Sequence, residues 1–363
     1  MNAIARRDFL STLIGAAALW PLRNVEADAV ARFPETIRIG LIGLEGHYSD
    51  ITLAAKAIPN LRFTAISDPN ESRLKSAGRN AVFANARTFV DYRKMLASEP
   101  LDIVGVCGEN GVRAEILQAC AGRVPAIISE KPLALRMSEL AAVHRAIEKQ
   151  QTALTMLLTM RFSPVFQAMR RIVQSGGIGE VVAMDAQKSY KLGERPGWMK
   201  SRKTFGGTIP YIGVHMMDLM QWISGRRFIE VSAFQAAVGV PDLGEMENVA
   251  ALAFRLDNRG VASLRMDYQR PETAPTHGDD RLRIVGANGI IEFQEAQGLT
   301  IVTKDEPPRK IADLPTTKPL AVDFIESLYG GAAHQITRQE IFRLSEIILK
   351  ARAAAEGRKI VRL

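Results

Sequence analysis

A chain of 363 residues is long enough for two domains, each burying a core of its own. Its 47% hydrophobic and 24% charged residues are ordinary for a soluble globular protein. The formal net charge of +8 suits an anionic ligand or surface, but no Lys/Arg block interleaved with aromatics is present, which argues against nucleic acid as a partner.

Residues 1–29 read as an export signal. Arg6-Arg7-Asp8-Phe9-Leu10 resembles a twin-arginine motif, with Ala5 and Ser11 departing from its usual flanks. A short apolar segment, Leu13 to Leu22, follows, and Ala27-Asp28-Ala29 fits a small-residue cleavage site. The expectation is a periplasmic protein exported folded. The apolar segment is too short to span a bilayer, so the mature chain is expected to have no membrane span.

Residues 36–152 alternate strand and helix. Ile37 to Gly43, Arg62 to Ser67, Ile103 to Val106 and Ala126 to Ser129 are apolar strand runs. Between and after them, Ile51 to Ala57, Thr88 to Ala97, Ala114 to Ala121 and Met137 to Gln150 read as helices. That pattern predicts an α/β unit with a doubly wound parallel sheet, a dinucleotide-binding domain of Rossmann type. Cys107 and Cys120 read as small apolar core residues, and neither has ligand spacing to another cysteine or a histidine, so no metal site is expected.

Residues 153–363 differ. A helix over Pro164 to Gln174 and a strand over Val181 to Ser189 precede a helix opened by His215. Five alternating segments then follow, at Ile229 to Gln235, Val249 to Arg255, Val261 to Tyr268, Arg281 to Val285 and Ile290 to Phe293. Gly286-Ala287-Asn288-Gly289 marks a hairpin between the last two. Thr337 with Glu340 forms a capping box for a helix ending near Gly357. This half is predicted to be an α+β domain with a mostly antiparallel open sheet.

Several residues carry chemistry. Gly43 and Gly46 lie between the first strand and helix, where backbone must approach a pyrophosphate, although Glu45 and Tyr48 stand where two further glycines are usual. Asp68 closes the second strand, where a carboxylate accepts from ribose hydroxyls and repels a 2′-phosphate, favouring NAD over NADP. Glu130-Lys131-Pro132 ends a buried strand, placing an ammonium where open sheets bind ligands. His215 can take a proton from a hydroxyl, being the side chain that titrates nearest neutrality. Trp198 offers a stacking wall for a sugar, and His277 and Asp279 belong to a polar loop expected to face the cleft.

Glu130-Lys131-Pro132 and Gly213-x-His215-x-x-Asp218, set on the βαβ pattern, resemble the Gfo/Idh/MocA family of nicotinamide-dependent sugar and polyol oxidoreductases. The resemblance runs from Ile37 to Leu363. It implies that Lys131 lies near the nicotinamide and the reacting hydroxyl, that Asn110 matches a cofactor-loop asparagine, and that Arg161 borders the cofactor pocket. It also implies NAD, with NADP possible, a carbohydrate or polyol substrate, and a homo-oligomeric dimer or tetramer. Tyr211 stands where the family usually has aspartate, which leaves room for altered chemistry with Tyr211 as a catalytic group. Two alternatives stay open: a glycosidase or lyase that retains NAD through transient oxidation and elimination, and a non-catalytic carbohydrate- or nucleotide-binding relative.

Overall fold

The computed structural model describes residues 30–239 and 242–363; the expected export signal lies outside them. The first sheet holds β1 (Ile37–Ile42), β2 (Leu61–Ser67), β3 (Arg87–Phe89), β4 (Ile103–Val106), β5 (Ala126–Ser129) and β6 (Ala153–Met156), in the order β3-β2-β1-β4-β5-β6. Every neighbouring pair is parallel. Its central strands β4 and β5 are buried along their whole length, because helices cover both faces, and this is why they read as unbroken apolar runs. The order reverses between β1 and β4. At that switch point the carboxyl ends leave a crevice outside the sheet.

Three expectations fail locally. The segment Thr88 to Ala97 is not one helix: Arg87–Phe89 forms the edge strand β3, and the helix is Tyr92–Ser98. Asp91 starts that helix, its side chain accepting from the Arg93 N–H at 2.9 Å. Likewise Ile51 to Ala57 divides into Tyr48–Thr52 and Ala54–Ala57, while the helix after β4 begins at Asn110 rather than Ala114.

The second sheet holds β7 (Val181–Lys191), β8 (Phe228–Ala236), β9 (Val249–Leu256), β10 (Val261–Arg270), β11 (Gly278–Gly286), β12 (Gly289–Gln294), β13 (Gly298–Thr303), β14 (Arg309–Lys310) and β15 (Val361–Arg362). Their order is β14-β13-β12-β11-β7-β10-β9-β8-β15. Only β10 and β7 run parallel; all other neighbours are antiparallel. The hairpin read at Gly286–Gly289 joins β11 to β12, with those two glycines paired.

Strict alternation along β9 and β10 gives the sheet one covered face and one open face. Leu252, Phe254, Leu264, Met266, Leu282 and Ile284 are buried beneath the helices Pro164–Gln174, Val214–Ser224 and Arg338–Gly357. Each such side chain contributes about 1.5–3 kcal/mol of burial, which is enough to fix the register, since a one-residue slip would expose them all. The capping box at Thr337 and Glu340 is present.

Candidate active site

The turn after β1 carries Gly43 and Gly46, both at positive φ (+83° and +71°). At Gly43 a Cβ would sit 2.5 Å from the Cys107 carbonyl oxygen, so only glycine lets β1 and β4 close the floor of the crevice. Glu45, unfavourable beside a pyrophosphate if left alone, is paired with Arg73 at 2.6 Å. Gly43, Glu45, Asp68, Arg73, Gly108, Glu109 and Trp198 line a groove of about 590 Å³, within the usual span of small-ligand sites.

From β5 the chain delivers Glu130 and Lys131, both nearly fully buried. Glu130 accepts from its neighbour's backbone N–H (Lys131 N to Oε2, 2.8 Å) and from the His47 N–H (2.9 Å), and it also bonds the His47 ring through Nδ1. Burial opposes its ionisation, but Lys131 and His47 outweigh that and hold its pKa below the ordinary carboxylate value. Lys131 Nζ donates to the Tyr211 carbonyl at 3.0 Å and stands 3.8 Å from the centre of the Tyr211 ring. Burial is the main cause that pushes its pKa down to about 8, against the opposing pull of Glu130, with Arg113, Lys188 and Arg195 adding to the fall.

Tyr211 belongs to a π-helical turn, Ile209–Gly213, that precedes the His215 helix. Its phenol is pushed up to about 12, chiefly by burial and then by Glu130, so it stays protonated. Its geometry is that of a platform for the lysine rather than of a base. His215 is buried, its ring 6.4 Å from that of His47, and its Nδ1 has no partner among the described residues. Burial, then Lys131, Lys188 and His47, push its pKa well below the ordinary value, leaving a neutral imidazole with a free nitrogen.

Strand register adds residues that the sequence reading missed. Lys188 on β7 and Asp280 on β11 project from the covered face and pair at 2.6 Å. Asp280 and the adjacent Tyr190 outweigh burial and hold the Lys188 pKa above its ordinary value. Tyr190 stacks with His277 at 5.0 Å and lies 6.2 Å from Tyr268, whose buried hydroxyl has no partner among the described residues. Arg195 stacks on Tyr268. His277 is thus exposed, against the Tyr190 ring. Trp198 lies between the two parts of the site, lining the nucleotide groove and meeting Tyr211 edge-on at 6.2 Å. Of the cations near it in sequence, Arg202 pairs with Glu247 and Lys200 is exposed.

Other expected site residues are used structurally. Asp68 is 2% exposed, lines the groove and accepts backbone N–H bonds from Leu44 (2.9 Å) and Asn70 (2.8 Å), so its oxygens also tie the β1 turn to the β2 turn. Asn110 is also buried, donating to the Phe205 carbonyl at 2.9 Å and accepting from Arg113 at 2.9 Å. Arg113 is 1% exposed and donates to the Pro132 and Gly108 carbonyls. Arg161 does not border the groove; it makes a two-point ion pair with Asp218 (2.8 and 2.6 Å) and bonds Glu340 at 2.9 Å. Asp218 therefore serves Arg161, not His215. Asp279 faces away from the cleft, on the open side of the sheet beside Gln187 and Arg281.

The donor set fits a dinucleotide. Two positive-φ glycines open the floor, the acidic Glu45 is neutralised by Arg73, and the buried Trp198 Nε1 lacks a partner among the described residues. Comparison with known proteins agrees. Residues 37–157 match the profile of an oxidoreductase family with an NAD-binding Rossmann fold, and residues 166–292 match the GFO/IDH/MocA C-terminal domain. Myo-inositol 2-dehydrogenase of Thermotoga maritima is 27% identical over 274 residues, covering 74% of this chain and 79% of that one. A solved Thermotoga maritima structure, proposed to be an oxidoreductase, is 30% identical with a TM-score of 0.83, covering 90% of this chain and 100% of that one. Levoglucosan dehydrogenase, solved with NADH, shares the fold with a TM-score of 0.79 at 18% identity, covering 90% of this chain and 99% of its own.

Proposed function

The chain belongs to the GFO/IDH/MocA oxidoreductase family, and from that premise we propose that its crevice oxidises a secondary hydroxyl of a sugar or polyol. A bound NAD would accept the hydride. The protein's share is to take the proton and hold the charge. Neutral His215, with its free nitrogen, accepts the hydroxyl proton, and the Lys131 ammonium stabilises the oxygen as negative charge develops on it. Tyr211 holds that ammonium through its carbonyl and ring, and Glu130 supports both Lys131 and His47. The similarity to myo-inositol 2-dehydrogenase supports a polyhydroxylated substrate.

One observation supports the reading: residues 84 positions apart, Lys131 and His215, are linked through Tyr211, whose carbonyl accepts from Lys131 Nζ at 3.0 Å four residues before His215, whose buried Nδ1 has no partner among the described residues. The test is incubation with NAD and a panel of polyols and sugars, following NADH and ketone together. Equal amounts of NADH and ketone support net oxidation. Cleavage of an aryl glycoside with no NADH accumulation would overturn it in favour of redox-neutral elimination. We further propose, from Arg6-Arg7 and the apolar segment behind it, export to the periplasm by the twin-arginine route. Replacing both arginines by lysine should hold the protein in the cytoplasmic fraction; unchanged export would refute that route.

A further inference from the structure

Beyond β7, the loop at 192–196 carries Gly193 at φ +55° and leads to Trp198, which lines the nucleotide groove. Arg195 Nη2 donates to the Lys191 carbonyl at 2.8 Å, and the guanidinium carbon stands 4.5 Å from the centre of the Tyr268 ring. That is its only side-chain hydrogen bond among the described residues, and its Nε is buried without a partner. A buried Nε–H without an acceptor is unfavourable until one arrives. Tyr268, on which the guanidinium stacks, lies 6.2 Å from Tyr190, whose ring in turn sits under Lys188 and against His277, so Arg195 joins that side of the site.

The charges around it do not balance. Lys131, Lys188, Arg113 and Arg195 surround the site, against the carboxylates of Glu130 and Asp280. Glu130 is engaged by His47 and the Lys131 backbone, and Asp280 by Lys188. Glu272 and Glu295 lie further out, near His277 and Tyr190. An oxidised nicotinamide would add another positive charge. A neutral sugar leaves that excess uncompensated; a substrate with its own negative charge cancels part of it.

We propose that Arg195 is a specificity residue whose guanidinium fork receives an anionic group of the substrate, a carboxylate or a phosphate, so that the crevice selects acidic sugars over neutral ones. This rests on the oxidoreductase reading for the chemistry, but not for the binding. Planar two-point recognition of carboxylate or phosphate is what arginine does and lysine does not.

The test is calorimetric titration of the NADH-loaded, full-length protein with glucose, glucuronate and glucose 6-phosphate. The wild type should bind one of the anionic ligands about tenfold or more tightly than glucose, the usual worth of a charge-assisted pair. Which of the two it prefers identifies the anion. Arg195→Gln should collapse the ratio of anionic to neutral affinity toward one, and Arg195→Lys should leave it intermediate. Equal binding of all three ligands by the wild type overturns the proposal, as does an unchanged ratio in Arg195→Gln. If Arg195→Gln does not fold, full retention of the preference by Arg195→Lys overturns it instead. Should Arg195-dependent anion binding hold while no ligand in a wide panel yields NADH, the oxidoreductase reading fails and this one stands. Rapid oxidation of neutral polyols with no anion preference has the opposite meaning.

Discussion

Asp279 and Asp280 are adjacent in sequence and belong to opposite faces of the second sheet. Asp280 projects under the helices and pairs with the buried Lys188, whereas Asp279 lies on the open side with Gln187 and the half-exposed Arg281. The same chemical group is therefore an expensive, interlocked charge in one position and a solvated one in the next. Strand alternation alone decides which titratable residues join the site.

The largest effects should come from the covered side. His215→Ala should lower kcat/KM for polyol oxidation by about 10²–10⁴-fold while NADH still binds, measured by fluorescence titration. Lys131→Met should lower it by about 10²–10³-fold, the worth of one preorganised donor at a developing oxyanion. If either variant keeps wild-type turnover, the covered side holds no catalytic pair.

The pH profile sharpens the assignment of roles. Lys131, depressed to about 8, is charged below that value and neutral above it; His215, depressed well below 6.5, is a free base throughout the neutral range. The rate should thus be level near neutrality and fall as pH rises through about 8, and Lys131→Arg should remove that alkaline fall. A limb that persists in Lys131→Arg would assign it to another group.

A smaller effect is expected on stability. Lys188→Met strands the Asp280 carboxylate and should cost about 3 kcal/mol in urea denaturation, most of it recovered when Asp280→Leu is added. Smallest of all, Asp279→Ala should change stability by less than about 1 kcal/mol and leave kcat/KM within about twofold. A large loss in that variant would erase the contrast between the faces.

Where apolar periodicity was strong, the fold was legible. The central strands of both sheets, the Met137–Gln150 and Pro164–Gln174 helices and the Thr337 cap stand where the sequence places them. The edge strand β3 was not legible, because its three residues are exposed or half-buried and carry no apolar pattern. In the candidate site, Gly43 is readable from steric need, Glu130 and Lys131 from strand-end placement, and His215 from its place at the start of a helix. Asp68, Asn110 and Arg161 have the right types at the right places, yet their hydrogen-bonding capacity goes to buried backbone and ion pairs, which only the tertiary structure reveals. Lys188 and Asp280 needed the β7–β11 register before they could be seen to face the same space.

The nine-stranded sheet ends on one side in Arg309–Lys310 and on the other in Val361–Arg362, each a two-residue strand bearing cations. Such short, charged margins are poor templates for another chain to extend. Growth of this sheet into a continuous intermolecular ribbon is thereby disfavoured, and any neighbour meeting it has the broad, side-chain-bearing surface to grip instead.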